Sequence, residues 1–359
     1  MSWTREMDAL QTIAAEAAAL ERGGEWEPAR DAYARAFTEA QAARSVRGMA
    51  DASRGAARML RELGLLEEAE EQAELSRGIA ERCDLPLEAA RAVNILGTIR
   101  YVAGAIHEAA DLYEEALEQA RAVRDDELIG LACANLGVVA NIRGDLNAAF
   151  TYYLENIAAA VRTGSAQASL LGYNNLGMLA SDVREWMQAD LFFHRALELA
   201  EQVGDAGITA MLLINRVEPL IHVGELDAAE EVLDRAEAMA ERIQNTAELA
   251  EAARFRGILA RRRGDPAGAS GHLARSLLLA TREGLRLERA EALEQIALLH
   301  HDAGRAEDAR AHLSEASAEF FAAGASRDCL RLRELAAEWA AAAGPVPPTI
   351  PAIRIAGAA

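Results

Sequence analysis

Lysine is absent from the 359 residues; all 37 cationic side chains are arginine. That absence excludes Schiff-base chemistry and the lysine of a phosphate-binding loop. Cysteine is scarce, and Cys83, Cys133 and Cys329 lie far apart in no metal-ligand spacing. Their odd number argues against a disulfide framework and for a reducing compartment, so the expected location is cytoplasmic. Basic charge is in deficit, 37 Arg against 57 Asp and Glu, a net charge of -20. Nucleic acid and anionic membranes are therefore poor partners, because each phosphate contact would work against the field of the whole chain. No window approaches the ~18 uncharged apolar residues of a membrane span, and charge at Arg5 and Glu6 speaks against a signal peptide. There is no glycine-rich phosphate loop and no Cys-x-x-Cys.

What the chain does have is a repeat. Gly24, Gly64, Gly104, Gly144, Gly224, Gly264 and Gly304 recur every 40 residues, and Arg184 holds the one missing place. Five residues after each such position stands an alanine: Ala29, Ala69, Ala109, Ala149, Ala189, Ala229, Ala269 and Ala309. Seven residues before it the residue is small in all cases but Val217: Ala17, Ala57, Gly97, Gly137, Gly177, Gly257, Ala297. Nine residues after it stand Tyr33, Ala73, Tyr113, Tyr153, Phe193, Leu233, Leu273 and Leu313. Columns that stay in phase along almost the whole chain mark stacked supersecondary units rather than separate domains.

Between the glycines, apolar residues recur at three and four, as in Leu112, Tyr113, Ala116, Leu117 and Ala120, so each unit is expected to be two helices. The glycine ends the first helix by taking a left-handed conformation that is free of strain only without a Cβ. Small residues seven before and five after it let the two helices approach closely. One such hairpin cannot bury its own apolar stripe, so neighbours must stack.

The strings Asn94-Ile95-Leu96-Gly97 with Gly104, Ala109, Tyr113 and Ala116, then Asn135-Leu136-Gly137 with Ala149 and Tyr153, and Asn175-Leu176-Gly177 with Ala189, Phe193 and Ala196 carry a resemblance. They resemble the tetratricopeptide repeat (TPR) family over residues 7–325, with units of 40 residues in place of the family's usual 34. Longer units of this kind look like those of bacterial signalling TPR proteins and of kinesin light chains. The resemblance implies an all-α, right-handed superhelical solenoid of eight helix-turn-helix repeats, first helices lining a concave groove and second helices facing outward. An amphipathic helix over 327–343 is expected to cap the last repeat, and 344–359 is expected to be a loose, proline-rich tail.

No catalytic constellation, metal site or cofactor motif emerges. His107-Glu108-Ala109-Ala110-Asp111 lacks the second histidine of a zinc helix. His300-His301 ends a first helix, where histidine favours the dipole, and His272 and His312 are expected to lie solvated on second helices. The chain is therefore expected to be non-enzymatic. One polar constellation stands out: Asn135, Asn175 and Asn215 fall in a single column of the first helix, with Asn94 and Asn174 one place earlier. The resemblance puts this column on the groove. A carboxamide can donate to a peptide carbonyl and accept from a peptide N–H at once, so such a ladder could hold an extended strand by its backbone. The alternative is that these amides bond neighbouring helices.

Arg254 and Arg261 are seven apart and share a face, so they could clamp a carboxylate on a partner, either an acidic residue or a free peptide end. The plainer reading of Arg261-Arg262-Arg263 is dipole complementation at a helix end. Tyr101 and Asn141 match later groove positions. In Asn215-Arg216-Val217-Glu218-Pro219 the proline falls inside a helix, where a kink could widen the groove. The expected function is a peptide- or protein-binding scaffold; the alternative is a peptide-sensing regulatory subunit whose superhelix changes pitch. An Ala/Arg/Glu-rich chain without lysine fits GC-rich coding, hence a bacterial signalling setting.

Overall fold

The computed structural model describes residues 2–342. Residue 343, the last of the expected capping helix, and the proline-rich segment 344–359 lie outside the described residues. Among the described residues every regular element is a helix, and the chain divides into two compact units, Met1–Gly204 and Asp205–Ala359.

The first unit holds five consecutive helix pairs: α1 (Ser2–Arg22) with α2 (Trp26–Ala42), α3 (Val46–Glu62) with α4 (Leu66–Arg82), and α5 (Pro86–Val102) with α6 (Ile106–Val123). The last two are α7 (Asp126–Ile142) with α8 (Leu146–Thr163) and α9 (Ala166–Asp182) with α10 (Trp186–Val203). The second unit pairs α11 (Ala206–Val223) with α12 (Leu226–Ile243), α13 (Thr246–Arg262) with α14 (Pro266–Arg282), and α15 (Arg286–Asp302) with α16 (Ala306–Ala322). It ends in α17 (Ser326–Ala342). Within each unit successive first helices touch one another (α3 with α5, α5 with α7, α7 with α9; α11 with α13, α13 with α15). Among the described residues successive second helices do not. First helices therefore form the inner wall of each unit.

The close pairing has a specific cause. A Cβ on Gly97 would stand 2.7 Å from the Tyr113 ring, and one on Gly177 would stand 2.5 Å from Phe193. Two columns that the sequence shows separately are thus one contact: glycine on the first helix leaves the space that a fully buried aromatic from the second helix fills. Tyr113 is 2% exposed and Phe193 is 1% exposed, and rings of this size contribute most of the burial energy available to an alanine-rich core. In the second unit Leu273 fills the same space against Gly257. The invariant alanine five places after the glycine is fully buried at every occurrence, from Ala29 to Ala309.

Helix ends repeat at half the spacing of the glycine column, as two helices per unit require. Residues 24, 64, 104, 144, 184, 224, 264 and 304 all have positive φ, as the glycine column implies, including Arg184 at +62°. So do 44, 84, 124, 164, 204, 244, 284 and 324, which end the second helices. Five of the sixteen are not glycine: Arg44, Asp84, Arg124, Arg184 and Gln244. Each end closes on itself; the amide of Leu65 donates to the Leu60 carbonyl at 2.9 Å, and that of Gly64 donates to Arg61 at 2.9 Å. The next helix often opens on a side-chain cap, as when Asp125, Ser165, Asp205 and Asn245 accept from a backbone amide of the following turn. Helix α11 runs uninterrupted across Pro219, which is buried. Helix α17 sets Leu332, 1% exposed, against Leu293, Leu313 and Phe320 of the preceding pair.

Candidate functional site

Carboxamides, guanidinium groups and exposed apolar side chains share the inner wall of the first unit. Asn94 on α5 is 2% exposed, and its Oδ1 accepts a 3.2 Å hydrogen bond from Asn135 Nδ2 on α7. For this pair the amides bond each other from helix to helix, the alternative that the residue pattern left open. Asn175 on α9 is half-buried and makes no side-chain hydrogen bond among the described residues. Asn174 is half-buried too and is not without a partner. Around Asn135 and Asn175 the wall carries large apolar side chains open to solvent: Leu131 at 49%, Leu171 at 42% and Met178 at 46%. Tyr101 packs against the core behind this wall, and Asn141 Nδ2 donates to Asp182 Oδ2 at 3.1 Å.

A cleft of about 220 Å³ opens beside Asn94. Arg54 and Arg58 from α3, Arg91 and Ile95 from α5, and Glu127, Leu128 and Leu131 from α7 complete its lining. Arg58 is held by Glu21 through Nε at 2.7 Å and Nη2 at 2.8 Å. Arg91 reaches Glu127 at 3.2 Å and Asp125 at 3.7 Å. Arg54, only 12% exposed, meets Asp51 through Nη2 at 2.6 Å, while its Nη1 is buried with no hydrogen-bond partner. Burial pulls the Arg54 guanidinium below its ordinary range; Asp51 opposes this, and the neighbouring charges of Arg58 and Arg91 add to it. The residue pattern pointed to none of these three arginines. The signal was present, since Arg54 occupies the same column as Asn94, Asn174 and Arg254, ten residues before the repeat position.

In the second unit Asn215 is half-buried on α11 and is not without a partner. The expected carboxylate clamp at Arg254 is closed from within. Arg254 pairs with Glu251 and Glu291, each at 3.1 Å, and lies over the Phe255 ring at 4.3 Å. Burial lowers its pKa, yet Glu291 and Glu251 outweigh burial and raise it overall. Arg261 pairs with Asp302 at 3.0 Å. Both guanidinium groups therefore serve links between α13 and α15, because the carboxylates that neutralise them arrive from the next repeat, a step invisible when each repeat is considered alone. Glu248 carries the opposite burden: burial first, then Glu251 and Glu288, push its carboxyl up to about 7. The histidines also meet: His300 stacks on His312 at 4.9 Å and His301 on Trp339 at 4.2 Å, so His312 is not an isolated surface residue. Among the described residues no group of three or more His, Cys, Asp or Glu is placed to hold a metal ion, and no helix is long and apolar enough to cross a membrane.

No family model matches the chain, and no curated protein does. Solved structures do. The apo form of the quorum sensor NprR from B. thuringiensis is 13% identical, with 87% of each chain covered and a TM-score of 0.66. A Rap protein complexed with competence and sporulation factor is 14% identical over 92% of this chain and 99% of that one, TM-score 0.58. A signal transduction ATPase with a tetratricopeptide repeat sensor from Pyrococcus horikoshii is 12% identical, covering 85% of this chain and 46% of that one, TM-score 0.65. Identities this low speak to fold and not to activity. By its paired helices, its 40-residue columns and these neighbours, the chain has the fold of the tetratricopeptide repeat proteins, an all-α repeat solenoid.

Proposed function

We propose that the chain is a non-enzymatic binding scaffold, with eight repeats over 7–325 as its frame, that holds an extended peptide or protein segment on the inner wall of its first unit. The carrying observation is Asn175, an amide on that wall that makes no side-chain hydrogen bond among the described residues, with Leu131, Leu171 and Met178 exposed around it. An amide offers both a donor and an acceptor to a peptide backbone, and the apolar side chains offer area to its side chains. Asn135 uses one donor on Asn94 and keeps its carbonyl for a ligand. The Rap neighbour complexed with competence and sporulation factor, and a Rap conjugation gene regulator solved with the Phr* peptide, support this reading. A cytoplasmic bacterial setting belongs to the same proposal.

Selection of random displayed peptides against the wild type tests it, with the Asn135→Ala, Asn175→Ala double variant as the comparison. Enriched peptides should lose about tenfold or more in affinity for the variant, at ~1 kcal/mol per hydrogen bond. Enrichment with equal affinity would overturn the amide grip; no enrichment would overturn the peptide reading. A second reading, a regulatory subunit that changes pitch when the peptide binds, is supported by the quorum-sensor and repeat-sensor neighbours. Small-angle scattering with a selected peptide separates the two, since a scaffold keeps its radius of gyration and a sensor does not.

A further inference from the structure

The outer side of the first unit carries furrows between successive second helices, and one of them changes character. Between α4 and α6 the furrow is lined by Glu70 and Glu74 on one helix and by Asp111 and Leu112 on the next. Two repeats later, the same places between α8 and α10 hold Phe150, Leu154, Leu191 and Phe192. Met187, one turn before Leu191, and Val161, two turns beyond Leu154, extend the row. Phe192 packs on the core beneath, but Phe150, Leu154, Val161, Met187 and Leu191 are 41% to 79% exposed. Scattered apolar side chains are ordinary on a protein surface; five large ones in a single strip mark an interaction site. From Phe150 to Val161 the strip runs about 16 Å along α8, three turns of helix. The cations nearby are already satisfied within the protein: Arg162 meets Asp126 at 2.7 Å, Arg195 meets Glu198 at 2.5 Å and Arg121 meets Glu155 at 2.7 Å. In the adjacent cleft between α6 and α8, Glu114 and Glu118 make no ion pair among the described residues. Thr151 and Ala158, exposed on α8 between the two furrows, are short, so the ridge separating them is low.

We propose that this strip is the docking site for an amphipathic helix of a partner protein, apolar at i, i+4 and i+7, with lysine or arginine along one flank. The site is separate from the inner wall and does not rest on the peptide reading. A helix seated between α8 and α10, at the ~8–10 Å axis separation of packed helices, lays its apolar face on Phe150, Leu154, Val161, Met187 and Leu191. Its cationic flank passes over Thr151 and Ala158 to the open carboxylates of Glu114 and Glu118. Charge decides the occupant: a second copy of this chain brings a further net charge of -20 against the same field, whereas a basic helix is drawn to it.

The probe is a fluorescein-labelled peptide helix of about five turns, with leucine at i, i+4, i+7 and i+11, lysine along one flank, and alanine and glutamine elsewhere. Its anisotropy is followed as the full chain is added. One control keeps the composition but spreads the leucines around the helix; a second carries glutamate in place of lysine. The striped, lysine-flanked probe should bind, and both controls should bind at least about tenfold more weakly. Met187→Ser with Leu191→Ser, at two exposed positions, should weaken the probe about tenfold. Glu114→Gln with Glu118→Gln should weaken it severalfold at low salt and little at high salt. Asn135→Ala with Asn175→Ala should leave it unchanged, which separates this site from the inner wall. Heat unfolding checks that the variants are folded, and Leu154→Ser carries the test if the Met187 and Leu191 variant is not. No binding, equal binding of the spread control, indifference to the serine variant, or loss in the asparagine variant overturns the inference. So does a dimer in sedimentation equilibrium that the serine variant breaks, since a second copy would then cover the strip.

Discussion

The two inner walls are built on one frame and carry opposite chemistry. On the first, Asn135 and Asn175 stand among exposed leucine and methionine, and Arg54, Arg58 and Arg91 gather at one cleft. On the second, Glu251 and Glu291 pair with one guanidinium, Arg254, and raise its pKa against burial, while Glu248 and Glu251 have theirs raised by burial first and then by neighbouring carboxylates. The frame is indifferent to this exchange because its own contacts, glycine or alanine against a buried aromatic or leucine, lie on another face of the same helices. Repeats that share packing columns are free to differ on the open face.

The largest expected effect concerns the shared frame. Gly97→Val in the first unit should lower stability by about 3 kcal/mol, since its Cβ would meet the Tyr113 ring at 2.7 Å in a filled core. Gly257→Ala in the second should cost less, because the aliphatic Leu273 can shift where a ring cannot; denaturant titration followed by circular dichroism compares them.

Next come the two equivalent arginines. Arg254→Met strands two half-buried carboxylates and should cost about 2 kcal/mol, while Arg54→Met strands only Asp51, 44% exposed, and should cost less than about 1 kcal/mol. Equal losses would erase the contrast drawn between the units.

Acidity sharpens it further. The folded state raises Glu248 from 4.5 to about 7, so it holds that proton more tightly than the unfolded chain does. The stability from this group is fully present below about pH 4.5 and lost as pH rises through 7. Glu248→Gln should therefore stabilise the protein at pH 8 by about 1 kcal/mol, allowing for solvent screening, and change little at pH 5; melting curves at both values test the sign. The smallest effect should be the same in both units: Arg124→Gly and Gln244→Gly relieve left-handed φ of 57° and 56° and should each add about 0.5 kcal/mol.

Much of the frame was legible because packing repeats residue types: the buried alanines, the small residues against Tyr113 and Phe193, and the glycine turns all stand in the sequence at fixed intervals. The turns at 44, 84, 124 and 244 were not legible, since Arg, Asp and Gln there accept a strained backbone that two well-packed helices impose. The site was only half visible. Its amides showed as a column, but the bond from Asn135 to Asn94 joins one repeat to the next with a one-residue offset. Likewise the closure of Arg254 by Glu291 and the clustering of Arg54 with Arg91 both span 37 residues, short of the 40-residue interval by one helical turn. Contacts between repeats depend on how neighbouring helices are staggered, which identity alone does not encode.

Among the described residues no helix touches another more than two places away along the chain. Loss of order at one hairpin is therefore felt by its immediate neighbours and dies out beyond them, so amide hydrogen exchange should fall off in steps rather than report one global opening. A chain wired in this way can loosen at one stretch while distant stretches hold their shape.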